Sequence, residues 1–239
     1  MNVLIIDTAT PVETVIVQAG GRFRETIKPY ERSHSVSLFT SIDSCLGELG
    51  LTIRDIDLIG VGIGPGSFTG IRIAVSTARM LAQVLGKPLV GVTTTMIFAV
   101  SVSCAVGDYI LIAFDAKKKR VFGALYLKKD GFLPAEIVPP GDYAIEYLLE
   151  NVGPNCRIFA AGDGVSKYYR SISGKKDSVV FIEDLRPRGD LISRHVIDIY
   201  NAGPHKFTDY NAVKPLYSRK SDAEIALSEK TRNGCDSTS

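Results

Sequence analysis

The glycine-rich stretch at residues 60–73, GVGIGPGSFTGIRI, has the most distinctive residue spacing in this 239-residue sequence. It is typical of a strand that enters a tight turn and continues into a helix capped by Ser67 or Thr69. The N-terminus of such a helix can hold an anion. The stretch is not a Walker A loop, because no lysine follows its glycines, and it lacks the third glycine of GxGxxG. The other interpretation is a closely packed turn, in which glycines allow two backbones to approach.

Two aspartates end strands in comparable places. Asp7 closes the first strand in IIDTAT, and Asp115 closes a later one in AFDAKK. Asp7 and Thr8 could meet a nucleotide phosphate through a metal or water, or Asp7 could hold its turn by accepting backbone N–H bonds. The basic run 117–120 after Asp115 could contact phosphate, or could be a solvated hairpin tip.

Residues for metal or nucleophile chemistry are sparse. The three histidines are His34, His195 and His205, and no two of them are four residues apart. Two imidazoles one helical turn apart, as a metal site on a helix would need, are therefore absent from the sequence. The four cysteines form no CxxC pair, and GxSxG does not occur. We therefore expect no metal site and no protease activity.

Composition excludes several classes of protein. With 45% hydrophobic and 23% charged residues, the chain is globular rather than disordered or fibrous. A net charge of +2 is too balanced for a protein that binds nucleic acid with its whole surface. No signal peptide and no apolar run long enough for a membrane span are found, so we expect a cytoplasmic protein.

Hydrophobic periodicity predicts three strands, a helix, a strand, a helix, a strand and a helix, and then the same order again. The first set comprises strands 3–6, 12–18, 23–28, 58–63 and 89–92 with helices 34–49, 71–85 and 93–104. The second comprises strands 109–114, 120–127, 132–138, 157–161 and 179–182 with helices 143–150, 166–172 and 191–201. Ser33 is the expected N-cap of the first helix, and Gly50 its end.

This duplicated β-β-β-α-β-α-β-α order resembles the actin, sugar-kinase and heat-shock ATPase superfamily, an α/β, ribonuclease H-like (ASKHA) fold. The expected domains are 1–106 and 107–205, with a segment 206–228 that returns to the first domain and a disordered tail at 229–239. In that superfamily ATP lies between the halves, and a glycine pair backs the adenosine. Here Gly162 and Gly164 of AAGDG lie at the matching position.

The helix that follows the glycine-rich turn is apolar over an arc of about 220°, more than packing on one sheet needs. A ridge of small residues recurs every four positions along it. We therefore predict a subunit interface, with a neighbouring helix widening the patch; the alternative is that the chain's own first helix covers this face. The predicted interface residues are Phe39, Ile42, Leu46, Leu49, Phe68, Gly70, Ala74, Ala78 and Ala82.

The stretch GIGPGSFTGIRI closely resembles the GxGPGSFTGxRIG signature of the TsaB (YeaZ) family. Further segments fit that family in the right order across roughly residues 1–220: IIDTAT, ERSH, AFDAKKKRVFGALY, AAGDG and NAVKPLYSRK. The resemblance implies an actin-like subunit that works with the related catalytic subunit TsaD and the ATPase TsaE. TsaD transfers a threonylcarbamoyl group to the tRNA adenosine next to the anticodon.

The resemblance also implies a non-catalytic scaffold that is a homodimer when alone, meets tRNA through the complex and does not bind membranes. TsaD-like enzymes hold a metal with HxxxH on the first helix, and here His34 is followed by Leu38. No cofactor of its own is expected beyond a weak ATP or ADP site at Asp7, Thr8, Asp115, Gly162 and Gly164. The basic run after Asp115 could contact tRNA. The alternative function is a stand-alone actin-like ATP-dependent kinase or carbamoyl transferase.

Overall fold

A computed structural model describes residues 1–29, 34–168, 178–203, 207 and 209–218. The first half contains β1 (Val3–Asp7), β2 (Val12–Ala19), β3 (Arg22–Pro29), α1 (His34–Leu49), β4 (Leu58–Gly62), α2 (Phe68–Leu85), β5 (Leu89–Val92) and α3 (Thr94–Ala99). The second contains β6 (Tyr109–Asp115), β7 (Val121–Leu127), β8 (Ala135–Tyr143), α4 (Ile145–Glu150), β9 (Ile158–Ala161), α5 (Asp163–Lys167), β10 (Val179–Ile182) and α6 (Gly189–Asn201). The predicted element order therefore occurs twice.

The two sheets have the same topology. Their strand orders are β3-β2-β1-β4-β5 and β10-β9-β6-β7-β8, so β1 and β6 are equivalent central strands. Each central strand pairs antiparallel with the next strand and parallel with a strand reached through a helix. This repetition confirms the predicted α/β class and duplicated actin-like fold.

Three elements differ most from their predicted bounds. Helix α3 ends at Ala99 rather than at 104, and α5 covers 163–167, whereas part of the predicted helix 166–172 lies outside the described residues. Strand β8 continues to Tyr143 through Pro139 and Pro140. It can do so because β8 is an edge strand, where a missing backbone N–H breaks no ladder bond. Ser33 and the predicted tail 229–239 also lie outside the described residues.

Alternation along β1 separates two cores. Leu4 and Ile6 face a core beneath α1 and α2, whereas Val3 and Ile5 face the opposite side of the sheet. That opposite side joins a core shared with the second sheet, to which Ile110 of β6 contributes. The outer face of the second sheet has its own core with α4 and α5. The molecule is thus layered as helices, sheet, helices, sheet and helices.

The halves exchange helices across the shared core. Helix α6, from the second half of the sequence, packs on β2, β3 and β5, whereas α3 packs on β6 and β7. Between these layers, the hydroxyls of Thr95 in α3 and Tyr126 in β7 are hydrogen-bonded at 2.8 Å, and both are buried. The boundaries expected at 106 and 205 therefore divide the sequence but not the core.

The segment after α6 lies on the first half. The backbone N–H of Leu216 donates to the Ile63 carbonyl at 2.8 Å, and that of Leu89 donates to Phe207 at 3.0 Å. The Arg79 guanidinium donates to the Val213 carbonyl. Among the described residues, no helix is long and apolar enough to cross a membrane.

Candidate functional site

The glycine-rich turn between β4 and α2 is closed by the β1–β2 turn. A Cβ on Gly66 would lie 2.1 Å from the Ala9 carbonyl oxygen, and one on Gly70 would lie 1.9 Å from that of Thr8. The backbone N–H of Ser67 donates to Ala9 at 2.7 Å, and the Thr8 hydroxyl donates to the Gly70 carbonyl at 2.7 Å. These contacts fit the closely packed turn, in which the glycines allow the two backbones to approach.

Of the two predicted caps, Ser67 and Thr69, Ser67 is the N-cap of α2. Its side-chain oxygen accepts the backbone N–H of Gly70 at 3.3 Å. The helix ends at Gly86, whose φ of 63° is left-handed and favours glycine. These two residues fix the length and the start of the helix that carries most of the predicted interface.

Asp7 lies at the bottom of this turn and is only 2% exposed. Its Oδ1 accepts the backbone N–H of Ala9 at 2.7 Å, which is the turn-holding role considered for it. Its Oδ2 is buried against Gly62 and has no partner at hydrogen-bonding geometry. Burial raises the pKa of Asp7 to about 6, against the lowering effect of the Ala9 amide and the Thr94 hydroxyl.

Asp115, the equivalent residue of the second half, is in a different electrostatic environment. Its Oδ2 receives Lys167 at 2.6 Å and Lys117 at 3.1 Å, and its Oδ1 receives the backbone N–H of Lys117 at 2.9 Å. Burial alone would raise the pKa of this carboxyl, but the lysine donors outweigh it and lower the pKa to about 2. The pKa values of these two equivalent aspartates are thus shifted in opposite directions.

The glycine pair of the second half faces the chain itself. A Cβ on Gly162 would lie 2.2 Å from the Ala113 carbonyl oxygen, and one on Gly164 would lie 2.8 Å from the Phe114 carbonyl carbon. Gly162 has a φ of 109°, which favours glycine. These glycines let α5 approach the end of β6.

This geometry does not fit a nucleotide at the predicted residues. The Asp7 carboxylate and Thr8 are enclosed, Asp115 is neutralised by its own lysines, and the space in front of Gly162 and Gly164 is filled by β6. A bound nucleotide would have to displace these contacts. Weak ATP or ADP binding stays a prediction, and it would require these contacts to open.

The histidine positions offer no metal site within the described residues, where no three His, Cys, Asp or Glu side chains come together. Leu38, one turn after His34, is fully buried in the core beneath α1. His195 is buried in α6, and burial lowers its pKa. His205 and Cys235 lie outside the described residues.

The structure corrects most of the predicted interface. Ala74, Ala78 and Ala82 are fully buried against the chain's own first sheet, so the small-residue ridge serves that close approach rather than contact with a partner. Ile42, Leu46, Leu49 and Gly70 are buried as well.

Of the nine predicted interface residues, Phe39 and Phe68 reach the surface. Phe39 is 40% exposed, and it shares the outer helical layer with Met80 and Val84, which are 47% and 77% exposed. Phe68 packs on Tyr217 with ring centroids 4.8 Å apart, beneath the Arg72 guanidinium. We call Phe39, Met80 and Val84 the outer apolar surface.

Sequence reasoning missed the buried polar contacts. Glu13 in β2 is 1% exposed and accepts the hydroxyls of Ser41 at 2.6 Å and Ser37 at 2.9 Å, beside Lys28 at 3.3 Å. The available signal was a glutamate within the apolar strand VETVIVQ. Its contacts fasten α1 to the first sheet.

Comparison with known proteins shows what the chain is similar to. Residues 24–137 match the family model "TsaD: tRNA N6-adenosine threonylcarbamoyltransferase". The chain is 32% identical over 131 residues to the tRNA threonylcarbamoyladenosine biosynthesis protein TsaB of Escherichia coli, covering 54% of this chain and 57% of that protein. It is 30% identical over 151 residues to TsaB of Bacillus subtilis, covering 63% and 65%. The matches thus span less than two thirds of these relatives.

The fold is also found in a solved structure. YeaZ from Pseudomonas aeruginosa superposes with a TM-score of 0.75, at 22% identity, over 90% of this chain and 99% of that one. This likeness covers both halves, whereas the sequence matches cover about half to two thirds of the chain. Together with the glycine-rich turn between β4 and α2, these matches make the chain similar to the TsaB (YeaZ) proteins and support its assignment to that family.

Proposed function

We propose that this chain is a non-catalytic subunit of the machinery that makes threonylcarbamoyladenosine in tRNA. The names of the E. coli and B. subtilis relatives support that pathway. The transferase for which the matched family model is named would be the catalytic partner, TsaD. In this proposal the chain acts by contact, ordering TsaD and helping to form the place where TsaE and tRNA engage.

The observation that carries the non-catalytic role is the identity and burial of Leu38. A metal on the first helix would require a second imidazole one turn after His34, and this position is occupied by a fully buried leucine. The other two histidines are His195, buried in α6, and His205, far along the chain. The same helix therefore supplies a core residue where a transferase would need a ligand.

The outer apolar surface supports a protein partner. Phe39, Met80 and Val84 lie on α1 and α2, which cover the face of the first sheet that points away from the shared core. Phe and Met are enriched in the cores of protein interfaces relative to the rest of the surface. We propose that this surface binds TsaD in the complex and a second copy of the chain when TsaD is absent.

Reconstitution tests the proposal. The purified chain alone, given threonylcarbamoyl-adenylate and unmodified tRNA, should form no threonylcarbamoyladenosine. Addition of TsaD and TsaE should give modified tRNA, and omission of this chain from the complete mixture should abolish the product. Modification by the chain alone would overturn the non-catalytic role. Unchanged product without the chain would overturn the pathway itself.

An ATP turnover assay on the chain without partners distinguishes the proposed function from the alternative, a stand-alone actin-like kinase or carbamoyl transferase. The enclosed Asp7 carboxylate and the filled space in front of Gly162 favour no turnover. Steady release of ADP that scales with the concentration of this chain would favour the alternative. Preparations without the chain provide the control for contaminating ATPases.

A further inference from the structure

The turn that joins β6 to β7 has an unusual backbone. Lys117, Lys118 and Lys119 have φ values of 63°, 51° and 60°, so three consecutive lysines are left-handed. In that region the Cβ of an L-residue crowds the following carbonyl oxygen, and runs of such residues are avoided. The turn is closed by two backbone bonds between Ala116 or Lys117 and Arg120, both of 3.0 Å.

Neighbouring side chains hold this turn in place. The Asp115 carboxylate accepts the backbone N–H of Lys117 at 2.9 Å and the Tyr168 hydroxyl at 3.3 Å. The same hydroxyl interacts with the backbone N–H of Lys119. Asp115 itself is fixed by Lys167 at 2.6 Å. A strained backbone conformation persists only where surrounding contacts hold it in place, and such conformations are concentrated at functional sites.

The charges of this turn are unequally compensated. Lys117 and Lys167 both pair with Asp115, and Arg120 pairs with Asp142 at 2.6 Å. Lys118 and Lys119 are exposed, and within the described part of the chain neither makes an ion pair. The turn therefore presents two uncompensated ammonium groups on a backbone that internal contacts hold rigid. Because the backbone is already held in place, only the lysine side chains need to be ordered when the turn binds a polyanion.

We propose that this turn, at Lys118 and Lys119, binds the phosphate backbone of RNA. The inference rests on the proposed function, in which tRNA is the substrate of the complex. A projecting hairpin turn suits an extended polyanion better than a small molecule, which would require a concave site. It carries no apolar side chain that could enter a bilayer. The contact would be independent of base sequence, since lysines that meet phosphates position RNA without reading bases.

The test measures the affinity of an unmodified tRNA transcript for the full chain in complex with TsaD and TsaE, over a series of salt concentrations. The variant Lys118→Asn/Lys119→Asn removes both charges and keeps residues that tolerate left-handed φ. The charge-retaining variant Lys118→Arg/Lys119→Arg provides the rescue. Lys128→Asn/Lys129→Asn, at the opposite end of β7, is the control with the same change in net charge.

We expect the Asn pair to reduce the slope of log affinity against log salt by about two, one for each lost phosphate contact. At 0.1 M salt the affinity for tRNA should fall roughly tenfold or more. The Arg pair and the control pair should bind as the unmodified chain does. Binding to TsaD should be unchanged in all variants.

Wild-type slope and affinity in the Asn pair would overturn the proposal and leave the proposed function intact. An equal loss in the control pair would overturn it too, because the effect would then come from net charge. If the complete mixture neither binds nor modifies tRNA, the proposed function fails, and this inference fails with it. Loss of binding to anionic vesicles with tRNA binding retained would assign the turn to membranes instead and overturn the RNA site.

Discussion

The carboxylate of Asp7 lies over the α-carbon of Gly62, so close that a Cβ added to Gly62 would stand 2.2 Å from Asp7 Oδ2. Because this oxygen is enclosed, the charged form of Asp7 is disfavoured, and its pKa is raised from 3.8 to about 6. The free energy of unfolding therefore falls as pH rises and Asp7 loses its proton, whereas an ion-paired carboxylate would make it rise.

The first prediction concerns pH and Asp7. Well below pH 3.8 the carboxyl is protonated in both states, and between pH 3.8 and 6 the folded state binds more protons. The free energy of unfolding should thus lose about 3 kcal/mol from this group as pH rises through that window. Asp7→Asn should remove this loss and be more stable than the unmodified chain at pH 7. Urea unfolding from pH 4 to 7 measures it, with the exposed Asp43→Asn as control. Parallel pH profiles for Asp7→Asn and the unmodified chain would contradict the pKa assigned to Asp7.

The second prediction concerns two glycines on helices. Gly70→Ala should lower the free energy of unfolding by at least about 3 kcal/mol, since its Cβ would meet the Thr8 carbonyl at 1.9 Å and backbone cannot move aside. Gly47→Ala, on the exposed face of α1 with nothing within 4 Å, should instead stabilise by up to about 1 kcal/mol. Thermal and urea unfolding of both variants give the comparison. Equal effects of the same sign would refute the close approach.

The third prediction concerns the hydrogen bond between the halves. Tyr126→Phe removes the hydroxyl that lies 2.8 Å from Thr95 Oγ1 and leaves that atom buried without its partner. The free energy of unfolding should fall by about 1–3 kcal/mol. Tyr147→Phe, at an exposed position, should change it by less than about 0.5 kcal/mol. The double variant Tyr126→Phe/Thr95→Val should lose less free energy of unfolding than the two single variants lose together. Strict additivity of the two losses would contradict the hydrogen bond.

The fourth prediction concerns the outer apolar surface. Val84→Glu should leave the fold and melting temperature unchanged, because this side chain is 77% exposed. Its affinity for TsaD, and its self-association, should weaken at least about tenfold, which corresponds to 1.4 kcal/mol. Gln83→Glu, the adjacent exposed residue of α2, introduces the same charge and should bind normally. Calorimetry and analytical ultracentrifugation measure both. Ala78→Arg, by contrast, should unfold the chain, because Ala78 is fully buried.

The fifth prediction concerns Asp7 and activity. Since Asp7 is enclosed and holds a turn, Asp7→Ala should reduce tRNA modification in the reconstituted system only through the folded fraction of this chain. The loss should remain far below a thousandfold, which would be about 4 kcal/mol of barrier. The assay is run at saturating variant after its melting temperature is known. A thousandfold loss with the complex intact would make Asp7 a catalytic residue.

Much of the fold could be predicted from local patterns. Helix α1 has its predicted bounds because its apolar spacing and Gly50 are both local signals. The direction of the ridge at Ala74, Ala78 and Ala82 could not be predicted, because a helical wheel identifies an apolar arc without saying what faces it. The ridge faces the sheet, where small side chains allow the approach between Gly70 and Thr8.

Residues distant in sequence explain the remaining differences at the candidate site. Asp115 meets Lys167, which lies 52 positions later, and no local pattern predicts that pairing. The raised pKa of Asp7 likewise depends on its burial against Gly62, which comes from another strand, and that burial outweighs the lowering effect of the Thr94 hydroxyl. Asp7 and Asp115 occupy comparable places in the sequence pattern. Their different environments, burial for Asp7 and pairing with lysines for Asp115, follow from tertiary packing.

The exchange of α3 and α6 between the halves has a consequence during synthesis. When β5 leaves the ribosome, the inner side of the first sheet has no cover until α6 follows about 100 residues later, roughly 5–20 s at ordinary translation rates. For that interval Val3, Ile5 and Ile16 are open to solvent or to a chaperone. The nascent first half should therefore be protease-sensitive, and the chain should acquire resistance in a single late step.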